Sequence, residues 1–349
     1  MRALGIVTAL VATAVVTTAV LAVPGPAHTA TDTPLRLPEP TGPYAVGVRD
    51  TAITDPARVD EQTGRPRRLP VRVWYPAARA ARGPAAPYLS EGARRFTEEK
   101  LGLPTGWLAV DTYAEIDAPA RRSLAGVVLV QHGGGTLAAF QTGQVVDLAS
   151  RGYAVVTVEH PHESFVIEEP DGTLIVGVDN PDDIPFSERM ADGALVLREV
   201  PRLVPEAGPQ TSIGMFGHSR GGAATAELML HHPHIRAGVD LDGSPRGEVT
   251  NLGLDRPFGL MCGLDAPVKY FADFLATLRG PQLVRELAVR HYGFTDWVVF
   301  NPQAELAEPG RGVAFEQLVP TGTAGDLAAG ERASEAQRQF LAEFLDRHL

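Results

Sequence analysis

A serine turn between two apolar segments limits the folding options of this chain more than any other feature. Gly217-His218-Ser219-Arg220-Gly221-Gly222 follows the apolar run 211–216 and leads into a small-residue helical pattern, 222–232. A short run that is hydrophobic on both faces reads as a strand buried within a parallel sheet. A serine at the sharp turn from such a strand into a helix has a strained backbone. Gly217 and Gly221 would let neighbouring chain approach where a Cβ would collide. The turn also aims the first N–H groups of the helix at the serine, so positive potential collects where an oxyanion would form. In this context G-x-S-x-G nominates Ser219 as a nucleophile.

Other runs recur at the spacing of βα units. Gly126–Gln131, Tyr153–Val158, 237–241 and 257–261 are short and aliphatic, and 71–75 alternates and ends at Pro76, as an edge strand would. Helical patterns cover 137–150 and 334–348, the last with Phe340, Leu341, Phe344 and Leu345 on one face. The expectation is one doubly wound, mostly parallel sheet with helices on both faces and an active site beyond the carboxyl ends of its strands. At 349 residues and 44% hydrophobic, the chain can bury such a core in a single domain.

A serine needs a base and an orienting carboxylate, and in a sheet of this kind they should follow it in the order acid, then histidine. Asp242 ends the run 237–241 and precedes a Gly-Ser-Pro turn, where functional side chains collect. Asp240 is its competitor on the same face, but it lies within the strand. Beyond Gly263 only His291 and His348 remain, and His348 sits in the terminal helix, where a cation suits the dipole. His291 is therefore the candidate base. Gln131-His132-Gly133-Gly134-Gly135 follows a strand and matches an HGGG-type loop. The main-chain N–H groups of Gly134 and Arg220 are the expected oxyanion donors.

These stretches together resemble the bacterial relatives of the secreted, plasma-type platelet-activating-factor acetylhydrolases. The likeness runs from Pro40-Thr41-Gly42-Pro43-Tyr44 and Val73-Trp74-Tyr75-Pro76, through His132–Gly135 and Glu159-His160, to the Ser219 elbow. It continues through Leu241-Asp242 to His291 with Phe294-Thr295-Asp296. Arg220 stands where that family has an aromatic residue, and His160-Pro161-His162-Glu163 departs from its usual Arg-Asp pairing. The resemblance implies the α/β-hydrolase fold and a calcium-independent esterase acting on short acyl groups. It requires no cofactor, and its substrate would be a small-molecule or lipid ester, with transient contact at a lipid surface. A hydrolase of polyesters or other carboxylic esters is the rival within the class, and a non-catalytic binding protein the rival outside it.

A net charge of −11 and a pI near 5.4 disfavour nucleic acid and anionic membranes as partners. Met1 and Arg2, the apolar stretch 3–23 and the small residues up to Ala30 read as a signal peptide, long enough to anchor the chain in a bilayer if retained. The expected organisation is a signal over 1–30, a flexible mature N-terminus over 31–43 and a catalytic domain over 44–349. The single cysteine, Cys262, continues an apolar strand and reads as a core residue. No metal is assigned. Glu159 is expected to fix a loop by hydrogen bonds beside His160, His162 and Glu163, and His231, His232 and His234 end a helix. Glu188, Arg189 and Asp192 read as a solvated helix face. The bulky segment 88–117 is either a lid or packing on the sheet, and 166–185 is a second wall of the pocket.

Overall fold

In a computed structural model, which describes residues 35–79 and 82–349, the apolar runs become strands of one ten-stranded sheet. In chain order the strands are β1 (Val46–Val59), β2 (Pro66–Pro76), β3 (Ala85–Pro87), β4 (Asp111–Ile116), β5 (Gly126–Gln131) and β6 (Tyr153–Val158). They continue with β7 (Val166–Glu168), β8 (Leu174–Val176), β9 (Ile213–His218), β10 (Ile235–Leu241), β11 (Phe258–Cys262) and β12 (Gln282–Glu286). The sheet order is β12-β11-β10-β9-β5-β6-β2-β1-β4-β3, while β7 and β8 form a separate antiparallel hairpin. From β6 to β12 every neighbour is parallel.

The helices are α1 (Glu91–Lys100), α2 (Thr142–Ser150), α3 (Phe186–Leu203), α4 (Arg220–His231), α5 (Val249–Leu252), α6 (Ala272–Thr277), α7 (Trp297–Ala307), α8 (Arg311–Leu318) and α9 (Leu327–His348). Strand alternation divides the core between the two faces of the sheet. Val128, Val130 and Val155 pack with α2, α7 and α9. Val127, Leu129 and Val156 pack with α3 and α4 on the other side.

Several expectations are corrected. Strand β2 is not an edge, because β1 and β6 flank it antiparallel on both sides. Pro76 is tolerated because it ends the strand. The true edge on the opposite side, β12, escapes a reading for apolar runs because Gln282, Arg285 and Glu286 make it polar. The described part of the supposedly flexible N-terminus is packed: Leu35 and Leu37 are each 3% exposed. Thr41 donates through both N–H and Oγ1 to Asp147 (2.8 Å each), and Gly42 N donates to Ser150 Oγ (2.9 Å). A Cβ on Gly42 would lie 2.2 Å from the Ser150 carbonyl oxygen, so this strap crosses α2 with no room for a side chain. Residues 31–34 and the segment 1–30 expected to be a signal lie outside the described residues.

At the charged start of α3 only Glu188 keeps the expected exposure, with 41% of its side chain open to solvent. Arg189 and Asp192 are fully buried. Asp192 receives the guanidinium groups of Arg58 and Arg67 from the β1–β2 ribbon (2.7 Å each), partners too distant in sequence to be foreseen. Within the segment 88–117, Tyr88, Trp107 and Leu108 join the core, and β3 and β4 extend the sheet.

Candidate active site

The turn between β9 and α4 carries Ser219 at φ 55° and ψ −124°, a conformation non-glycine residues rarely adopt. What holds it there is crowding. A Cβ on Gly217 would sit 2.3 Å from the Gly221 carbonyl group, and one on Gly221 would sit 2.0 Å from Gln131 O. A Cβ on Gly222 would meet Asp240 Oδ1 at 1.8 Å. The third small residue thus lets helix α4 lie directly against β10, and the strain is imposed by packing rather than by the serine itself.

Two further side chains converge on this turn. His291 begins a short 3-10 turn, His291–Phe294, downstream of β12, and its Nε2 lies 2.8 Å from Ser219 Oγ. Its Nδ1 lies 2.6 Å from Asp242 Oδ2. Asp242, just past β10, also has a positive φ of 58°, and its Oδ1 accepts from Gly263 N (2.8 Å). The strand end and the main chain after β11 therefore orient the carboxylate. Asp240 does not reach the histidine: its Oδ1 accepts from Gly243 N at 2.7 Å. Burial raises its pKa well above the ordinary carboxylate value.

The sequence reading overlooked His218. Its Nε2 donates to the His291 carbonyl oxygen (2.9 Å), and its ring lies 4.7 Å from the His291 ring. Burial, reinforced by the neighbouring His291, holds its pKa well below the usual histidine value, so it braces the loop as a neutral ring. Its only sequence signal was its place inside the elbow motif.

The glycine loop lies alongside. A Cβ on Gly133 would be 3.3 Å from Ser219 Cβ. The N–H groups of Gly134 and Arg220 donate to no other described residue. Pro181, from the expected wall segment, covers Gly134 and Gly135, where added Cβ atoms would meet it at 3.0 and 2.9 Å. Glu159 does fix a loop: it accepts from Ala138 N (3.0 Å) and Ser164 Oγ (2.7 Å), and burial pushes its carboxyl up to about 7. It also lines a cavity of about 590 Å³ with Trp74, Tyr88, Leu137 and Val166, to which none of Ser219, Asp242, His291, Gly134 or Arg220 contributes.

The histidines set aside as metal ligands have other partners. His160 bridges Asp192 and Gln131 (2.9 Å each), His162 meets Asp60 (2.8 Å), and His231 meets Glu227 (3.1 Å). Cys262 is buried, and its thiol is pushed up to about 12.

No protein-family model matches the chain. It is 29% identical over 241 residues to a probable 1-alkyl-2-acetylglycerophosphocholine esterase of Arthroderma benhamiae. That match covers 62% of this chain and 61% of the relative, so the chain matches less than two thirds of that protein's length. The structure superposes on a ferulic acid esterase from Streptomyces cinnamoneus with a TM-score of 0.74 and 29% identity, covering 91% of this chain and 94% of the other. The fold is that of an α/β-hydrolase, and the two likenesses support an esterase of that kind.

Proposed function

We propose that the protein is a serine carboxylic-ester hydrolase that releases short acyl chains through an acyl-enzyme on Ser219. The observation that carries this reading is His291, whose two ring nitrogens lie within hydrogen-bond distance of Ser219 Oγ and Asp242 Oδ2 (2.8 and 2.6 Å). Nε2 takes the serine proton as Oγ attacks the ester carbonyl, and Asp242 holds the tautomer and stabilises the imidazolium. The N–H groups of Gly134 and Arg220 receive the oxyanion. His291 then protonates the leaving alcohol, and a water molecule activated by the same nitrogen hydrolyses the acyl-enzyme. These steps use the chain's own residues.

The short-acyl preference is supported by the acetyl ester in the name of the fungal relative. A second reading, hydrolysis of bulkier or aromatic carboxylic esters, is favoured by the fuller structural likeness to a ferulic acid esterase. Export through residues 1–30 completes the proposal, supported by the basic, apolar and small-residue order of that segment.

The test is to label the purified protein with a fluorophosphonate, identify the modified peptide by mass spectrometry, and assay p-nitrophenyl acetate through decanoate beside methyl ferulate. Labelling at Ser219 with fastest turnover of acetate is expected. Fastest turnover of ferulate would select the second reading, and a folded protein with neither label nor activity would leave only a binding role.

A further inference from the structure

The two N–H groups assigned to the oxyanion belong to separate segments, and a hole of two donors works only if their relative position is fixed before the reaction. Both segments are tied to one buried carboxylate. Glu163 is 1% exposed and faces the fully buried Arg189, whose Nε lies 3.0 and 3.1 Å from its two oxygens. Arg189 Nη1 also donates to the His132 carbonyl oxygen (2.6 Å), on the near side of the glycine loop. On the far side, Gly135 N donates to the Glu163 carbonyl oxygen (3.0 Å). The loop that carries Gly134 is thus held before the donor by the ion-paired Arg189 and after it by the main chain of Glu163.

The same carboxylate reaches the second donor. Arg220 Nε lies 2.9 Å from Glu163 Oε1, a charge contact without hydrogen-bond geometry, so the residue that follows the nucleophile is an ion-pair partner of the group that fixes the glycine loop. The rest of the Arg220 guanidinium holds the roof, donating to Asp182 Oδ1 (2.6 Å) and to the Ile184 carbonyl oxygen (2.5 Å), both just after Pro181, which covers the glycines. Burial alone would raise the Glu163 carboxyl, but Arg189, with smaller contributions from His160 and Arg220, outweighs it and keeps it below the usual range. A buried Arg–Glu–Arg cluster contributes little net stability over well-packed apolar side chains, because desolvation offsets attraction. Its geometry, rather than its energy, is what the site uses.

We infer that Glu163, bridging Arg189 and Arg220, is a positioning residue that holds the Gly134 and Arg220 N–H groups in register as one oxyanion hole. This rests on the ester-hydrolase reading above. It also accounts for an arginine after the nucleophile, since an aromatic side chain there could not pair with Glu163.

Glu163→Gln keeps the volume and removes the charge, and Arg220→Lys keeps the main-chain donor but cannot span Glu163, Asp182 and Ile184 together. In each, the rate of fluorophosphonate labelling per folded molecule and kcat on p-nitrophenyl acetate are expected to fall roughly 10- to 100-fold, less than the loss of a whole donor, with KM within about twofold. Glu206→Gln, which breaks an ion pair with Arg49 away from the site, should leave both rates unchanged. A merely structural role would lower the fraction of molecules that label while leaving the rate per labelled molecule intact, and that result overturns the inference. So does a folded Arg220→Lys protein with wild-type labelling, which keeps the question decidable if Glu163→Gln does not fold. Wild-type protein that never labels refutes the hydrolase reading and this inference together, whereas labelled wild type with unaffected variants refutes this inference alone.

Discussion

Replacing Asp296 by asparagine should make the protein progressively more stable than wild type as the pH rises. Asp296 is buried where the histidine loop meets α2: Oδ1 accepts from Gly143 N and Oδ2 from Tyr88 Oη, each at 3.0 Å. Burial is the largest influence on its carboxyl and pushes it up to about 8, in spite of those hydrogen bonds. In the unfolded chain the same group titrates near 3.8. Between these values the folded state binds the extra proton, so stability falls as pH rises, fully present below the lower value and lost through the upper one. One pH unit within that window corresponds to about 1.4 kcal/mol, so the penalty grows by about 4 kcal/mol between pH 5 and pH 8. An asparagine fills the same space, accepts from Gly143 N and donates to Tyr88 Oη, and does not titrate. Urea unfolding midpoints of both proteins at pH 5, 6, 7 and 8 read the difference directly. The two stability curves should diverge with pH, the Asp296→Asn protein gaining at each step. Curves that stay parallel over this range would mean Asp296 is ionised in the folded protein, and the argument from burial would fail.

Asp242→Asn should lower turnover of a short-chain ester by roughly 10⁴-fold by presenting the wrong histidine tautomer. Asp240→Asn should retain roughly wild-type turnover, since its carboxyl accepts from Gly243 N and does not reach His291; equal losses would refute the assignment of Asp242. Gly221→Ala places a Cβ 2.0 Å from Gln131 O and 2.6 Å from His132 O, main-chain atoms that cannot give way singly. It should cost about 3 kcal/mol or more, read by denaturant unfolding. Cys262, fully buried with its thiol pushed up to about 12, should not react with a disulfide reagent until the protein is unfolded.

Much of the molecule was legible locally. Strand β5, strand β6 and the turn around Ser219 announce themselves because each is a continuous stretch with one dominant demand, burial on both faces or close backbone approach. Strand order and chain order likewise brought Asp242 and His291 forward, and the structure brings both to Ser219. Features that failed were those whose environment is set by distant chain. The arginines of β1 and β2 make α3 bury Asp192, Trp107 and α2 tie down the strap at Leu35–Gly42, and the flanking strands β1 and β6 turn β2 into an interior strand.

By itself the sequence determined the elements and the chemistry carried on them, because hydrophobic period, glycine placement and the order Ser219, Asp242, His291 are properties of neighbouring residues. Tertiary structure alone decided which charges go inside. Glu163, Arg189 and Arg220 come from three segments, and nothing in any one of these segments shows that the three charges will meet in one buried cluster. A buried charge is tolerated only when its partner is already in place. That condition depends on the packed whole, so no local pattern can encode it.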